Sequence, residues 1–147
     1  MDYDDEYPTC AKTDALLRIF SDDKSPSEIS GFLGIEPTSS QEKGGLRNPN
    51  NPKSKSKVNC WYFGSKADVQ SNDSRRHLDW VIERIYPKKK EFIELKQAGA
   101  DISICCIWES SSNHGGPTID PTQMGPLSEL GIPVWWEFWY NYDTENS

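Results

Sequence analysis

Asp101-Ile-Ser-Ile-Cys-Cys-Ile-Trp108 decides the reading of this chain. Its alternation sets Ile102, Ile104, Cys106 and Trp108 on one face and Ser103, Cys105 and Ile107 on the other, the period of a β-strand. A Ser/Gly/Pro loop from Glu109 to Ile119 follows, and then Asp120-Pro-Thr-Gln-Met124, an N-cap residue with proline first and glutamine third. Pro126 is expected to interrupt this segment, leaving a turn and a short helix from 126 to 130 that Gly131 closes. Residues 133–142 form the last predicted strand. Val134, Trp136, Phe138, Tyr140 and Tyr142 share one face; Trp135, Glu137, Trp139 and Asn141 share the other.

Working outward, the same grammar recurs at the front of the chain. A strand over Asp14–Phe20 runs into Ser25-Pro26-Ser-Glu28, a second capping box, with Ile29, Phe32 and Leu33 as the inward stripe and Gly34 as the stop. The two strand-helix-strand units make a weak internal repeat, each ending Leu-Gly-Ile (33–35 and 130–132). Between them, residues 36–57 read as a long loop rich in Pro, Gly, Asn and Lys, and residues 58–63 as a strand apolar on both faces. A helix starts near Asp73 or Ser74 with Leu78, Val81, Ile82 and Ile85 on one stripe; it is broken or kinked at Pro87 and continued by Phe92 and Leu95 to Gly99. The expected architecture is therefore α+β, in the order β-α-β-α-β-α-β. It has one mainly antiparallel sheet of about four to five strands, helices on one face, and the other face free for water or a partner.

The 147 residues are 35% hydrophobic and 27% charged, the composition of a single domain. Residues 1–12 read as an acidic flexible tail and 13–147 as the domain. No stretch is apolar enough for a membrane span, and the N-terminus is acidic where a secretory leader is basic, so a cytoplasmic location is expected. The four cysteines show neither CxxC spacing nor a dense framework, and are read as free thiols.

The segments meet a family at this point. The Arg18-Ile19-Phe20 strand, Pro26-Ser-Glu-Ile29 with Leu33-Gly34-Ile35-Glu-Pro37-Thr38, Lys43-Gly44, the Trp61 strand, the helix ending Ile85-Tyr86-Pro87, and Leu130-Gly131-Ile132 before an aromatic strand resemble the bacterial domain of unknown function 4279 family. That family supplies no catalytic residues to transfer. The resemblance implies a small bacterial protein, and some members of that family are similar in size and acidity to immunity proteins of toxin systems.

No catalytic motif or metal-ligand set is legible, and no cofactor is expected. Only His77 and His114 are present, which removes HExxH and paired-histidine zinc chemistry. His77 reads as a surface or boundary residue of its helix and His114 as part of an exposed polar loop. Lys43-Gly-Gly-Leu-Arg47 lacks the order of a P-loop.

Charge layout is the most informative feature. The net charge is −7; residues 1–42 and 101–147 are strongly acidic, and 43–100 are basic. If the two acidic segments share a sheet, their carboxylates gather around tryptophans. Trp135, Glu137, Trp139, Glu109 and Asp143 are accordingly the expected partner-binding residues of a non-catalytic, immunity-type inhibitor that occludes a basic toxin or nuclease domain. The competing placement puts Trp135 and Trp139 in a second core layer under the long loop. Two other functions stay open: a nucleic-acid accessory protein using the basic loop Lys53, Lys55 and Lys57, with Lys88–Lys90, and a small-ligand protein with an aromatic pocket near Trp61, Trp108 and His114. The net charge argues against nucleic acid. The chain could act as a monomer or a homodimer.

Overall fold

A computed structural model describes residues 1–140. Five strands, β1 (Cys10–Ser21), β2 (Ser39–Gln41), β3 (Asn59–Gly64), β4 (Asp101–Ser110) and β5 (Val134–Tyr140), form one sheet in the order β2-β3-β1-β4-β5. The first three pairings are antiparallel, and only β4 and β5 run parallel. The α+β reading holds, and β2 is the one strand the sequence did not announce: three polar residues, Ser-Ser-Gln, carry no alternation to detect.

Helices α1 (Pro26–Leu33), α2 (Ser74–Ile85), α3 (Lys89–Gln97) and α4 (Pro121–Leu130) cover one face. Ala15, Leu17 and Ile19 on β1, Trp61 on β3, and Ile102, Ile104 and Cys106 on β4 meet Ile29, Leu33, Leu78, Val81, Ile85, Leu95, Leu127 and Leu130 there. Each such aliphatic side chain contributes about 1.5–3 kcal/mol on full burial. Trp61 is fully buried and donates its indole N–H to Ser30 Oγ at 3.0 Å, which satisfies the polar atom that burial would strand.

The internal repeat is structural. Both α1 and α4 start at a reciprocal capping box, Ser25/Glu28 and Asp120/Gln123, and both end on a left-handed glycine, Gly34 at φ 65° and Gly131 at φ 66°. Each joins two parallel strands. β4-α4-β5 pairs adjacent strands; β1-α1-β2 skips one position, into which β3 inserts antiparallel to both.

Several expectations need correction. Pro126 does not divide α4, which is continuous from Pro121 to Leu130. Proline removes one hydrogen bond near the helix start, to the carbonyl of Thr122, and Thr122 is exposed so water can take the vacated place. At Pro87 the helix does break: a 3₁₀ turn, Tyr86–Lys88, separates α2 from α3. The long loop is less irregular than expected. Residues 44–56 form a hairpin held by Gly44 N–H to Ser56 C=O (2.8 Å), Ser56 N–H to Gly45 C=O (2.9 Å) and a Leu46–Lys55 bridge.

The N-terminal segment is not a free tail. β1 begins at Cys10, and the preceding residues are tied to the start of α2. Asp4 N–H donates to Asp73 Oδ2 (2.7 Å), Arg76 pairs with Asp5 (2.8 Å), Ser71 Oγ donates to Asp5 (2.6 Å), and Tyr3 donates its hydroxyl to Asp79. Low hydrophobicity suggested disorder, but the Arg75–Arg76 pair and the capping carboxylate Asp73 give the segment polar partners in place of a core.

Candidate interaction surface

The helix-free face is built by the alternate residues of the same strands. Register places Asp14, Leu16, Arg18 and Phe20 of β1 beside Ile107, Cys105, Ser103 and Asp101 of β4, with Tyr62 and Cys60 of β3 on the far side. On β5, Trp135, Glu137 and Trp139 lie opposite Cys105, Ile107 and Glu109. Four of the five residues expected to bind a partner therefore share one corner of this face; the fifth, Asp143, lies outside the described residues.

Trp135 and Trp139 are 40% and 57% exposed, so they are not a second core layer under the long loop. The hairpin of residues 44–56 sits instead at the β3 side, where Arg47 reaches Ser56 and Cys60. Lys53 and Lys55 of this hairpin and Lys57 just after it are exposed. The face thus has a basic margin at β3 and an aromatic, carboxylate-bearing margin at β4–β5, with β1 between them.

Arg18 fixes the geometry of the aromatic margin. Its guanidinium stacks on Trp135 at 4.7 Å from the ring centroid and on Phe20 at 5.5 Å. Its Nε is buried without a hydrogen-bond partner among the described residues. Trp135 is thereby held from beneath by a cation while its outer surface stays open, an arrangement that lowers the entropy lost when a partner covers the ring. Beside it, Cys105 is 5% exposed and burial pushes its thiol up, which makes it a poor nucleophile. Cys106 is raised further by the same cause, and Cys10 is pushed up to about 11. All four cysteines are free.

The residues proposed for an aromatic pocket do not come together. Trp61 and Trp108 are both fully buried, at opposite ends of β1, opposite Ile19 and Thr13 respectively. His114 is exposed, and its ring Nδ1 is hydrogen-bonded to the Ser112 hydroxyl at 3.1 Å.

His77 corrects the sequence reading most sharply: it is 2% exposed. Its Nε2 donates to the Ser71 carbonyl (2.9 Å), which leaves Nδ1 to accept from Ser65 Oγ (2.7 Å), and that oxygen accepts the Ala15 N–H (3.0 Å). The serine–histidine pair is chemically suggestive, yet Ser65 is fully buried and its oxygen is engaged by the main chain, so the network staples residues 65–71 to the edge of β1 beyond the end of β3. Sequence reasoning missed it because Ser65 and His77 are ordinary residues at a spacing that belongs to no motif.

Burial lowers the His77 imidazole below its ordinary value of 6.5, opposed by the Ser71 hydrogen bond and by Asp14 and Asp73. The unfolded chain therefore takes up this proton before the folded one does. Stability is fully present above pH 6.5 and declines as pH falls below it. Thermal melts between pH 7.5 and 5 are expected to show this decline, and His77→Gln to flatten it; an unchanged slope in the variant would remove His77 as the cause.

Among the described residues there is no cluster of three or more His, Cys, Asp or Glu side chains fit to hold a metal ion, and no helix is long and apolar enough to cross a membrane. No curated protein and no solved structure matches the chain. The capping boxes, the Trp61 strand and the aromatic last strand described above all lie within residues 11–141, the span that matches the family described as Domain of unknown function (DUF4279), and the chain belongs to that family.

Proposed function

We propose that this chain is a non-catalytic binding module that docks the β4–β5 corner of its helix-free face on a basic protein, as an immunity-type inhibitor does in occluding a toxin or nuclease. The observation that carries the reading is the exposure of Trp135 and Trp139 on the one sheet face without a helix, with Glu137 between them and Glu109 beside Trp139. Tryptophans supply binding energy once desolvated, and carboxylates at their rim steer a basic partner and set orientation. The segment from 101 onward has seven acids and no base, so nothing in it repels such a partner.

The test starts from a basic protein captured in nuclease-treated extract and then titrated as a purified component at low and high salt. Glu109→Gln with Glu137→Gln should slow association roughly tenfold at low salt and change little at high salt. Glutamine at Lys53, Lys55 and Lys57 should leave binding intact. Loss of binding through the lysines, or retention of nucleic acid alone, would overturn the reading in favour of the basic margin.

A further inference from the structure

Among the described residues β5 ends the sheet with an unpaired outer edge, and it carries four large exposed aromatic side chains, Trp135, Phe138, Trp139 and Tyr140, 39–57% exposed. Edge strands are ordinarily blunted by lysine, proline or a bulge. Val134–Tyr140 has none of these, and its register with β4 is unbroken from Val134 to Tyr140. We propose that this edge pairs antiparallel with β5 of a second copy, joining two five-stranded sheets into one of ten strands. The inference goes beyond the proposed function and is tested without any partner protein; it shares the Trp135 and Trp139 rings with that site, so the two associations compete for them.

Main-chain direction supports the pairing. Ile104 N–H donates to the Pro133 carbonyl at 2.9 Å, and Ile104 is the register partner of Val134. In a parallel ladder that alternation turns Pro133, Trp135, Glu137 and Trp139 toward β4 and leaves the N–H and C=O groups of Trp136, Phe138 and Tyr140 facing outward. A twofold axis at Phe138 matches those outward groups: Phe138 opposes its own copy, and Trp136 opposes Tyr140 of the other chain. This register sets Glu137 beside Trp139 and keeps the two Glu137 carboxylates from lying directly opposite each other.

Side chains point to a copy of the chain as the occupant. On the helix side of β5, Trp136, Phe138 and Tyr140 form a continuous file, with ring centroids 6.1 and 6.3 Å apart. At the Val134 end of the same side lies an almost wholly apolar groove of about 430 Å³, lined by Ile119, Met124, Leu127, Ile132 and Val134. Tyr140 projects at one end of the strand and the groove opens at the other, so the twofold sets each tyrosine beside Trp136 of the other chain, on the side where the groove lies, at both places at once. The four exposed rings offer roughly 350 Å² per chain, and with the groove and the main-chain edge a pair approaches the ~1,000 Å² of a specific interface.

Sedimentation equilibrium of the purified full chain, from micromolar to hundreds of micromolar, tests this without any partner protein. The expected species has twice the 16.7 kDa mass of one chain at the upper end. Phe138→Lys should weaken the dimer at least about tenfold while the far-UV circular dichroism and melting temperature stay near those of the parent. Phe138→Pro gives a second arm, because the N–H it deletes faces outward and not to β4. Slowed amide exchange at Trp136, Phe138 and Tyr140 in the dimer supplies a readout that needs no substitution. A monomer at every concentration, or a dimer indifferent to both variants with fast exchange at those amides, would overturn the proposal.

Discussion

Alanine at both Trp135 and Trp139 is expected to abolish binding of a basic partner while leaving the chain folded. The two rings are 40% and 57% exposed, so the folded chain gains little from them. The largest intramolecular contact at stake is the stack of Arg18 on Trp135, about 1 kcal/mol for a partly exposed cation–π pair. In a complex the balance reverses. A desolvated tryptophan anchor is worth about 2–4 kcal/mol, so losing two weakens binding by roughly a thousandfold or more. The measurement is a binding titration of the captured partner against parent and variant, with a thermal melt of each. Retained affinity sinks the proposed site; loss of the folded state would show that the rings do more for the fold than their exposure indicates.

Asp73→Ala is expected to have the largest effect on stability. The carboxylate is nearly fully buried and caps α2 through the Arg75 N–H (3.0 Å); it also accepts the Asp4 N–H and pairs with the Arg75 guanidinium at 2.7 Å. Burial pushes its carboxyl up, but the guanidinium and the two backbone donors outweigh that and hold it below the usual carboxylate range. Removing it deletes a helix cap, leaves part-buried donors without their acceptor and releases the N-terminal segment, together about 2–4 kcal/mol. The melting temperature should fall by roughly 10 °C. Limited proteolysis should then cut within residues 1–9, which the parent protects. The parent should also lose stability as pH falls through the carboxylate range, since a depressed carboxyl stabilises only while ionised, and the variant should lose less there. A variant that melts with the parent and resists cleavage would show that the N-terminal segment is held without Asp73, through Asp5 with Arg76 and Ser71 and through Tyr3 with Asp79.

Asp73, His77 and Pro126 illustrate what was and was not legible. Asp73 was marked as a possible helix start because capping is local chemistry: an acceptor three residues or fewer from orphan amides. That it also receives Asp4, sixty-nine residues away, is visible only once α2 and the start of β1 are side by side. The tail was misread for the same reason, since its low hydrophobicity was judged without the arginines that satisfy it. His77 was placed on the right helix with its burial missed, because the partner that makes burial tolerable, Ser65, belongs to the turn after β3. Pro126 failed in the other direction: a local rule predicted a break, and the exposure of Thr122, whose carbonyl loses its partner to the proline, removed the need for one.

By itself the sequence determined the types of the elements other than β2, the α+β class, the two matching strand-helix-strand units and the opposite faces of each longer strand. All of these follow from short-range constraints: side-chain period, caps, and the conformations open to proline and glycine. It also placed Trp135, Glu137 and Trp139 on one face, since alternation along a strand is indifferent to what the strand pairs with. Which face that would be, covered or open, was decided only by the tertiary structure. The choice depends on the parallel register of β5 on β4 and on all helices collecting over Leu17, Ile104 and their neighbours. Burying that aliphatic layer releases more free energy than covering the opposite face with a helix, because Arg18, Asp14 and Glu137 interrupt that face and each charge needs water or a polar partner. The helices therefore settle on the aliphatic side, and the aromatic corner of β5 is left exposed.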